Sequence, residues 1–221
     1  MKIFNQLRHQ NLVQVIRWCH DRGEFLLVYE FMPNGSLDTH LFGKRTPLTW
    51  EVRYKIFLGL ASAVFYLHEE SEQCVVHHDI KASNVMLDYS FNAKLGDFGY
   101  IDPEYLRTGK ASKESDMYSF GVIALEIVTR RKSIDPIRKD SETGLLEPIW
   151  NLYGKGDLLL ACPHPDRNLR PFIRQAIQVL KFEATMPTLP IDKPFRMYRV
   201  PPPAVESGGV VFTSTNLQQG R

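Results

Sequence analysis

The chain has 221 residues, a formal net charge of +2, and an ordinary balance of 43% hydrophobic and 24% charged residues. That length holds one domain with a sizeable core or at most two small ones, and the charge selects no nucleic-acid or membrane partner. Three scattered cysteines, Cys19, Cys74 and Cys162, exclude a disulfide framework or a zinc site and fit a reducing compartment; no secretory signal begins at Met1, and no apolar run nears the roughly 20 residues that span a bilayer.

Ile3, Phe4 and Leu7 fall at helical spacing, so residues 1–7 read as the end of a helix, broken by Arg8-His9-Gln10-Asn11. Residues 12–16 read as a short strand. Residues 25–31, FLLVYEF, read as a second strand, with Asp21-Arg22-Gly23 as the turn between them. Pro33-Asn34-Gly35-Ser36 is a strong turn, and Ser36 is placed to cap the helix that follows. Taken alone, this is an ordinary hairpin packed on a helix.

Residues 50–69 form an amphipathic helix with Ile56, Phe57, Leu60, Ala63, Val64 and Leu67 on one face. Thr49 is its expected cap, and Glu51 suits the positive end of the helix dipole. Residues 113–131 contain YSFGVIALEIV, apolar on all sides, which predicts a buried central helix. Asp116 near its start has the position of a capping carboxylate. Residues 173–180 close the folded part. From Met186 onward, Pro187, Pro190, Pro194 and Pro201-Pro202-Pro203 precede a Gly/Ser/Thr/Gln-rich end, so residues 184–221 read as a Pro-rich disordered tail. Arg130-Arg131-Lys132 is a short basic cluster of the solvated-surface kind, and no specific nucleic-acid binding is expected.

Between these helices stands VVHHDIKASNVMLDYSFNAKLGDFG, residues 75–99. It joins His77-His78-Asp79, Lys81 and Asn84 to a short apolar run and then to Asp97-Phe98-Gly99. Singly, Asp79 and Asp97 are loop carboxylates that cap turns. Together, at this spacing, they resemble the catalytic loop, following strand and magnesium-binding turn of a protein kinase. The resemblance covers residues 1–183. RGEFLLVYEFMPNGSLDTHLF, YLHEE, HHDIKASNVMLD, SKESDMYSFGVIALEI and HPDRNLRPFIRQAIQVL look most like plant receptor-like kinases of the legume-lectin-domain group.

The resemblance implies an α+β, protein-kinase-like fold. Residues 1–31 would be a fragment of the N-terminal lobe and residues 32–183 the mainly helical C-terminal lobe with internal deletions. The implied activity is transfer of the ATP γ-phosphate to serine or threonine of a protein within receptor signalling, with ATP and Mg2+ as cofactors. Asp79 would be the base and Lys81, two residues on as in serine/threonine kinases, the charge stabiliser. Asn84 and Asp97, hard oxygen ligands, would hold magnesium. Tyr29 would lie at the back of the nucleotide pocket, the Glu30 and Met32 backbones on the adenine edge, and Met86 would complete the nucleotide-binding set. His77, Phe98, Gly99, Asp116 and an ion pair between Glu104 and Arg170 would be structural, Asp116 by tying down the catalytic-loop backbone.

Four departures accompany the resemblance. The chain begins within the helix expected to pair with a strand lysine, and its residues include neither a G-x-G-x-x-G loop nor that lysine. His78 stands where the family has arginine, and a mostly neutral imidazole does not reproduce that residue's bidentate phosphate contact. Only Tyr100, Ile101 and Asp102 separate Gly99 from Pro103, where the family has a much longer activation segment. Ala161-Cys162-Pro163 joins Leu158-Leu159-Leu160 directly to His164-Pro165-Asp166, as though a helix and its loop were lost. Two alternatives to a working kinase therefore stand beside it: a catalytically dead binding module that engages partner kinases or their substrates, and a non-functional truncated product. The chain as given is expected to be cytosolic, its full-length relatives lying in the plasma membrane with the kinase domain on the cytosolic side.

Overall fold

A computed structural model describes residues 7–21, 24–96, 112–133, 162–164 and 166–185. Two small antiparallel ribbons sit on a helical body. Strand β1 (Val15–Asp21) pairs with β2 (Glu24–Tyr29), with a bulge at Ile16 between the Val15↔Tyr29 and Arg17↔Val28 pairs. Strands β3 (Val85–Leu87) and β4 (Ala93–Leu95) form the second ribbon. The helices are α1 (Leu37–Leu41), α2 (Trp50–Phe65), α3 (Lys113–Thr129) and α4 (Ile173–Leu180).

The first strand starts later than the apolar run at 12–16 suggests. Leu12 and Val13 join β4 instead: Val13 N–H donates to the Leu95 carbonyl at 3.0 Å, and Leu95 N–H donates to the Asn11 carbonyl at 2.8 Å. Leu12 is thereby buried completely. The second strand also stops short, at Tyr29, because Glu30 N–H turns to the Gln14 carbonyl (3.1 Å) and Phe31 swings into solvent. Of residues 1–7 only Leu7, which is buried, falls among the described residues.

The 33–36 turn forms as expected, with Gly35 at φ 68°, a left-handed value that costs glycine little. It is pinned to the second ribbon, since the Gly35 carbonyl accepts from Leu87 N–H at 2.8 Å. Ser36 occupies the N-cap position of α1 but does not cap it with its side chain; Asp38, one turn in, takes the Ser36 hydroxyl.

Helix α2 starts at Thr49, whose hydroxyl accepts from Val52 N–H at 3.5 Å. Its predicted apolar face is the one buried. From Tyr66 the helix widens into a π-turn through Glu70, with Ser71 N–H reaching back five residues to the Tyr66 carbonyl at 2.9 Å. Helix α3 is buried along most of its length and ends at Arg130, which takes a left-handed φ of 55° as its C-cap. Phe57 of α2 stacks on Phe120 of α3 at 5.0 Å between centroids. The α4 face Ile173, Ala176 and Val179 closes the core, and Tyr54 fixes its end by donating to the Leu180 carbonyl at 2.6 Å.

The chain junction beside α3 is tight. A Cβ on Gly121 would meet Pro163 Cδ and lie 2.6 Å from Cys162 Cβ, so only glycine lets the 162–163 backbone come this close. All three cysteines are free; Cys19 and Cys74 are exposed, and burial pushes the Cys162 thiol up to about 12. No helix among the described residues is long and apolar enough to cross a membrane. The expected tail at 184–221 lies outside the described residues beyond Thr185.

Candidate active site

Asp116 organises the site. It is 1% exposed, yet its carboxylate is fully engaged. Oδ2 accepts the His77 N–H at 2.8 Å and the His68 Nε2–H at 2.9 Å; Oδ1 accepts the His78 N–H at 2.9 Å. A buried carboxylate is tolerated only with such partners. Asp116 sits one residue past the third helical position of α3, where the Ser112 carbonyl already receives Ser115 N–H at 3.0 Å. Its two oxygens face the 77–78 loop, so the side chain ties that loop down and does not cap its own helix.

The tie holds a strained backbone. His78 has φ 73°, uncommon for a residue with a Cβ. His77, also 1% exposed, spans the loop: its Nδ1 accepts from Asp79 N–H at 3.3 Å, which leaves Nε2–H to donate to the Gly96 carbonyl at 3.1 Å. One imidazole thus connects Asp79 to the residue just before Asp97.

Asp79, Lys81 and Asn84 converge. Lys81 Nζ lies 2.6 Å from Asp79 Oδ2. Asn84, in the 3-10 turn Ala82–Asn84, donates Nδ2–H to the Asp79 carbonyl at 2.9 Å and to Oδ2 at 3.0 Å. Burial raises the Asp79 carboxyl, but hydrogen bonds from Lys81 and Asn84, with the Lys81 charge, outweigh it and hold the group below the ordinary carboxylate range. Asp79 is 42% exposed.

On the second ribbon Val85, Leu87, Ala93 and Leu95 are buried, while Met86 and Lys94, direct cross-strand partners, are half-buried on its other face. Lys94 reaches Glu30 Oε1 at 2.9 Å, which ties the residue-30 side chain to the second ribbon. Met32 is buried and its carbonyl receives Gly35 N–H at 3.1 Å; Tyr29 is 39% exposed at the end of β2. A small cavity of about 20 Å³ lies elsewhere: His68, Lys113, Met117, Arg170 and Phe172 line it, and none of the expected nucleotide-binding residues does.

Asp97, Phe98, Gly99 and Glu104 lie outside the described residues. Of the expected Glu104–Arg170 pair, Arg170 alone is described. It donates Nε–H to the His164 carbonyl and an Nη1–H to the Glu114 carbonyl, both at 2.7 Å, and lies 4.9 Å from the Tyr118 ring centroid. Two further residues of this neighbourhood carry no signal in the sequence. His68 is hidden among apolar helix positions, and Lys94 looks like a solvent-facing residue of a short strand.

Among the described residues no three His, Cys, Asp or Glu side chains cluster to hold a metal. Of the two expected oxygen ligands Asn84 alone is described, and an amide oxygen is a donor type that suits a hard divalent cation. Asn84 donates its amide nitrogen to Asp79, its Oδ1 accepts from the Ser83 hydroxyl at 3.5 Å, and its backbone carbonyl accepts from Gly96 N–H at 2.9 Å.

Residues 1–101 match the protein kinase domain. The L-type lectin-domain containing receptor kinase IX.1 of Arabidopsis thaliana is 52% identical over 271 residues, a match covering 100% of this chain and 42% of the relative. Over its first 101 residues the chain is similar to protein kinases. Receptor kinase IX.2 of the same plant is 46% identical over 280 residues, with 100% and 42% covered. Receptor kinase VIII.1 is 41% identical over 247 residues, with 88% and 34% covered. The chain spans about two fifths of the length of the first two relatives. Its match to receptor kinase IX.1 runs over 271 positions against the chain's 221 residues, so about fifty positions of that relative have no counterpart inside this chain.

Proposed function

We propose that the chain carries the lower-lobe active site of a serine/threonine protein kinase of the lectin receptor kinase type, built to transfer the ATP γ-phosphate to a protein hydroxyl. The observation that carries this reading is the convergence of Lys81 and Asn84 on Asp79, on a loop anchored by Asp116. Asp79 orients the acceptor hydroxyl and takes its proton. With its carboxyl held below the usual range it is a weak base, which suits a reaction dominated by positioning and charge neutralisation. Lys81 brings a positive charge beside the transferring group. Asn84 and Asp97 would hold magnesium, whose chemistry is to neutralise the phosphate oxygens. Tyr29, Glu30, Met32 and Met86 would receive the nucleotide. Residues 1–31 and 32–183 are the corresponding upper- and lower-lobe parts. Full-length relatives of receptor kinase type would present this domain on the cytosolic side of the plasma membrane, acting on protein substrates.

A second reading is favoured by one feature. Three residues between Gly99 and Pro103 leave no room for the segment on which a kinase lays its peptide substrate. On that reading the chain binds nucleotide and a partner kinase without transferring phosphate. A thermal-shift titration with Mg-ATP, run beside a radiolabelled phosphate assay on a generic protein, separates the two. Stabilisation with transfer that disappears in Asp79→Asn supports the enzyme; stabilisation without transfer supports the binding module; no effect of Mg-ATP sinks both.

A further inference from the structure

We propose that Lys94 is a positioning residue for the nucleotide base: by pairing with Glu30 it holds residue 30 against the β3–β4 ribbon, where the Glu30 backbone would meet an adenine edge. This rests on the nucleotide reading given above. Glu30 and Lys94 are 64 residues apart in sequence, and their side chains are 29% and 15% exposed. Glu30 is gripped at three points. Its Oε1 accepts from Lys94 Nζ at 2.9 Å and from Gln14 N–H at 3.0 Å, and its own N–H donates to the Gln14 carbonyl at 3.1 Å. The two Gln14 bonds fix Glu30 to the residue leading into β1; among the described residues, the Lys94 bond is the one that ties its side chain to the ribbon.

That ribbon face is the one that matters for a flat ligand. Met86 and Lys94 are opposed across the strands and point to the same side, away from the buried Val85, Leu87, Ala93 and Leu95. A base lying on Met86 would have the Lys94 stem beside it. The Lys94 ammonium ties the Glu30 side chain to that same face of the ribbon.

An ordinary structural ion pair does not explain this arrangement as well. The root of the β1–β2 hairpin is already stitched to the lower body by Val13 N–H to Leu95 carbonyl (3.0 Å), Leu95 N–H to Asn11 carbonyl (2.8 Å) and Asn11 Nδ2–H to Ala93 carbonyl (2.8 Å). With those bonds in place, losing Lys94 releases the Glu30 carboxylate from the ribbon without detaching the hairpin. The consequence falls on base recognition rather than on folding.

The test compares the full 221-residue chain with Lys94→Met, which keeps the stem and removes the charge, and Lys94→Arg, which keeps the charge. Dissociation constants for Mg-ADP, Mg-GDP and magnesium pyrophosphate are read by calorimetry. Lys94→Met is expected to weaken Mg-ADP about fivefold, the scale of one partly exposed ion pair, while Mg-GDP and pyrophosphate stay unchanged, so the adenine-to-guanine preference falls; Lys94→Arg restores it. An unchanged preference, or an equal loss for all three ligands, overturns the role assigned to Lys94. A wild-type chain that unfolds cooperatively yet binds no Mg-ADP overturns the nucleotide reading itself and this inference with it.

Discussion

The Asp116 carboxylate accepts the His78 N–H at 2.9 Å while His78 sits at φ 73°, so a buried side chain from α3 holds a disfavoured backbone turn one residue before Asp79. Asp116→Ala would strand two backbone N–H groups and the His68 ring in a dry interior. Each unsatisfied buried donor costs on the order of 1–3 kcal/mol, so a loss of about 3 kcal/mol or more is expected. Urea unfolding at constant slope should show it. A midpoint unchanged from wild type would mean that the loop does not depend on this tie.

A second stability test is steric. Gly121→Ala places a methyl group against Pro163 Cδ and 2.6 Å from Cys162 Cβ. Overpacking of this kind costs roughly 1–3 kcal/mol. The junction must give way, because α3 is held beside Gly121 by the Phe57–Phe120 stack. A thermal midpoint within error of wild type would show the 162–164 junction to be more pliant than its packing implies.

Much of this architecture is legible in the sequence, for reasons that differ by element. Helices α2 and α3 are long enough for their apolar spacing to fix both type and buried face. Leu12 misleads because its partner, Leu95, is 83 residues away, and an apolar run cannot announce whether it pairs with its neighbour or with a distant strand. Ser36 misleads because Asp38 competes for its hydroxyl. Asp79, Lys81 and Asn84 are readable because their spacing is fixed by one loop. His68 and Lys94 are not, since each acts on a group brought to it by tertiary packing.

The cysteines give a chemical readout of the same packing. Burial drives the Cys162 thiol to about 12, so almost none is thiolate at neutral pH. Cys19 and Cys74 are exposed. A thiol reagent at about pH 7.5, near enough to the ordinary thiol range to react, should label two groups quickly in the native chain and the third only on unfolding. Fast labelling of Cys162 would contradict its buried place against α3.

Asp79 has a pH signature whose sign follows from its lowered carboxyl. A group with a depressed folded value stabilises the fold fully above its unfolded value, near about 3.9, and loses that contribution as pH falls through the folded value. The effect of Lys81 and Asn84 on stability through Asp79 should therefore be constant near neutrality and fade below about pH 4. Lys81→Met removes the charge and one hydrogen bond, so the Asp79 carboxyl should titrate at higher pH in that variant. Carbon-detected NMR of the carboxylates reads this directly. An identical titration in wild type and Lys81→Met would mean that the 2.6 Å contact is not maintained in solution.

The last prediction separates binding from transfer. The parts that would hold magnesium and receive the nucleotide base are spread over residues 29–97, whereas the peptide platform depends on what lies between Gly99 and Pro103, here three residues. Positioning of reactants accounts for roughly 7–11 kcal/mol of a barrier, and losing even half of that on the acceptor side slows transfer by a factor on the order of a thousand. Mg-ATP is therefore expected to raise the thermal midpoint of the chain, while phosphate transfer to a protein stays at the level of Asp79→Asn. Supplying a relative's full-length segment between Gly99 and Pro103 should raise transfer while leaving the Mg-ATP affinity within about twofold, a difference well under about 1 kcal/mol. Transfer by the chain as it stands, abolished in Asp79→Asn, would show instead that Asp79 can meet an acceptor hydroxyl without that platform.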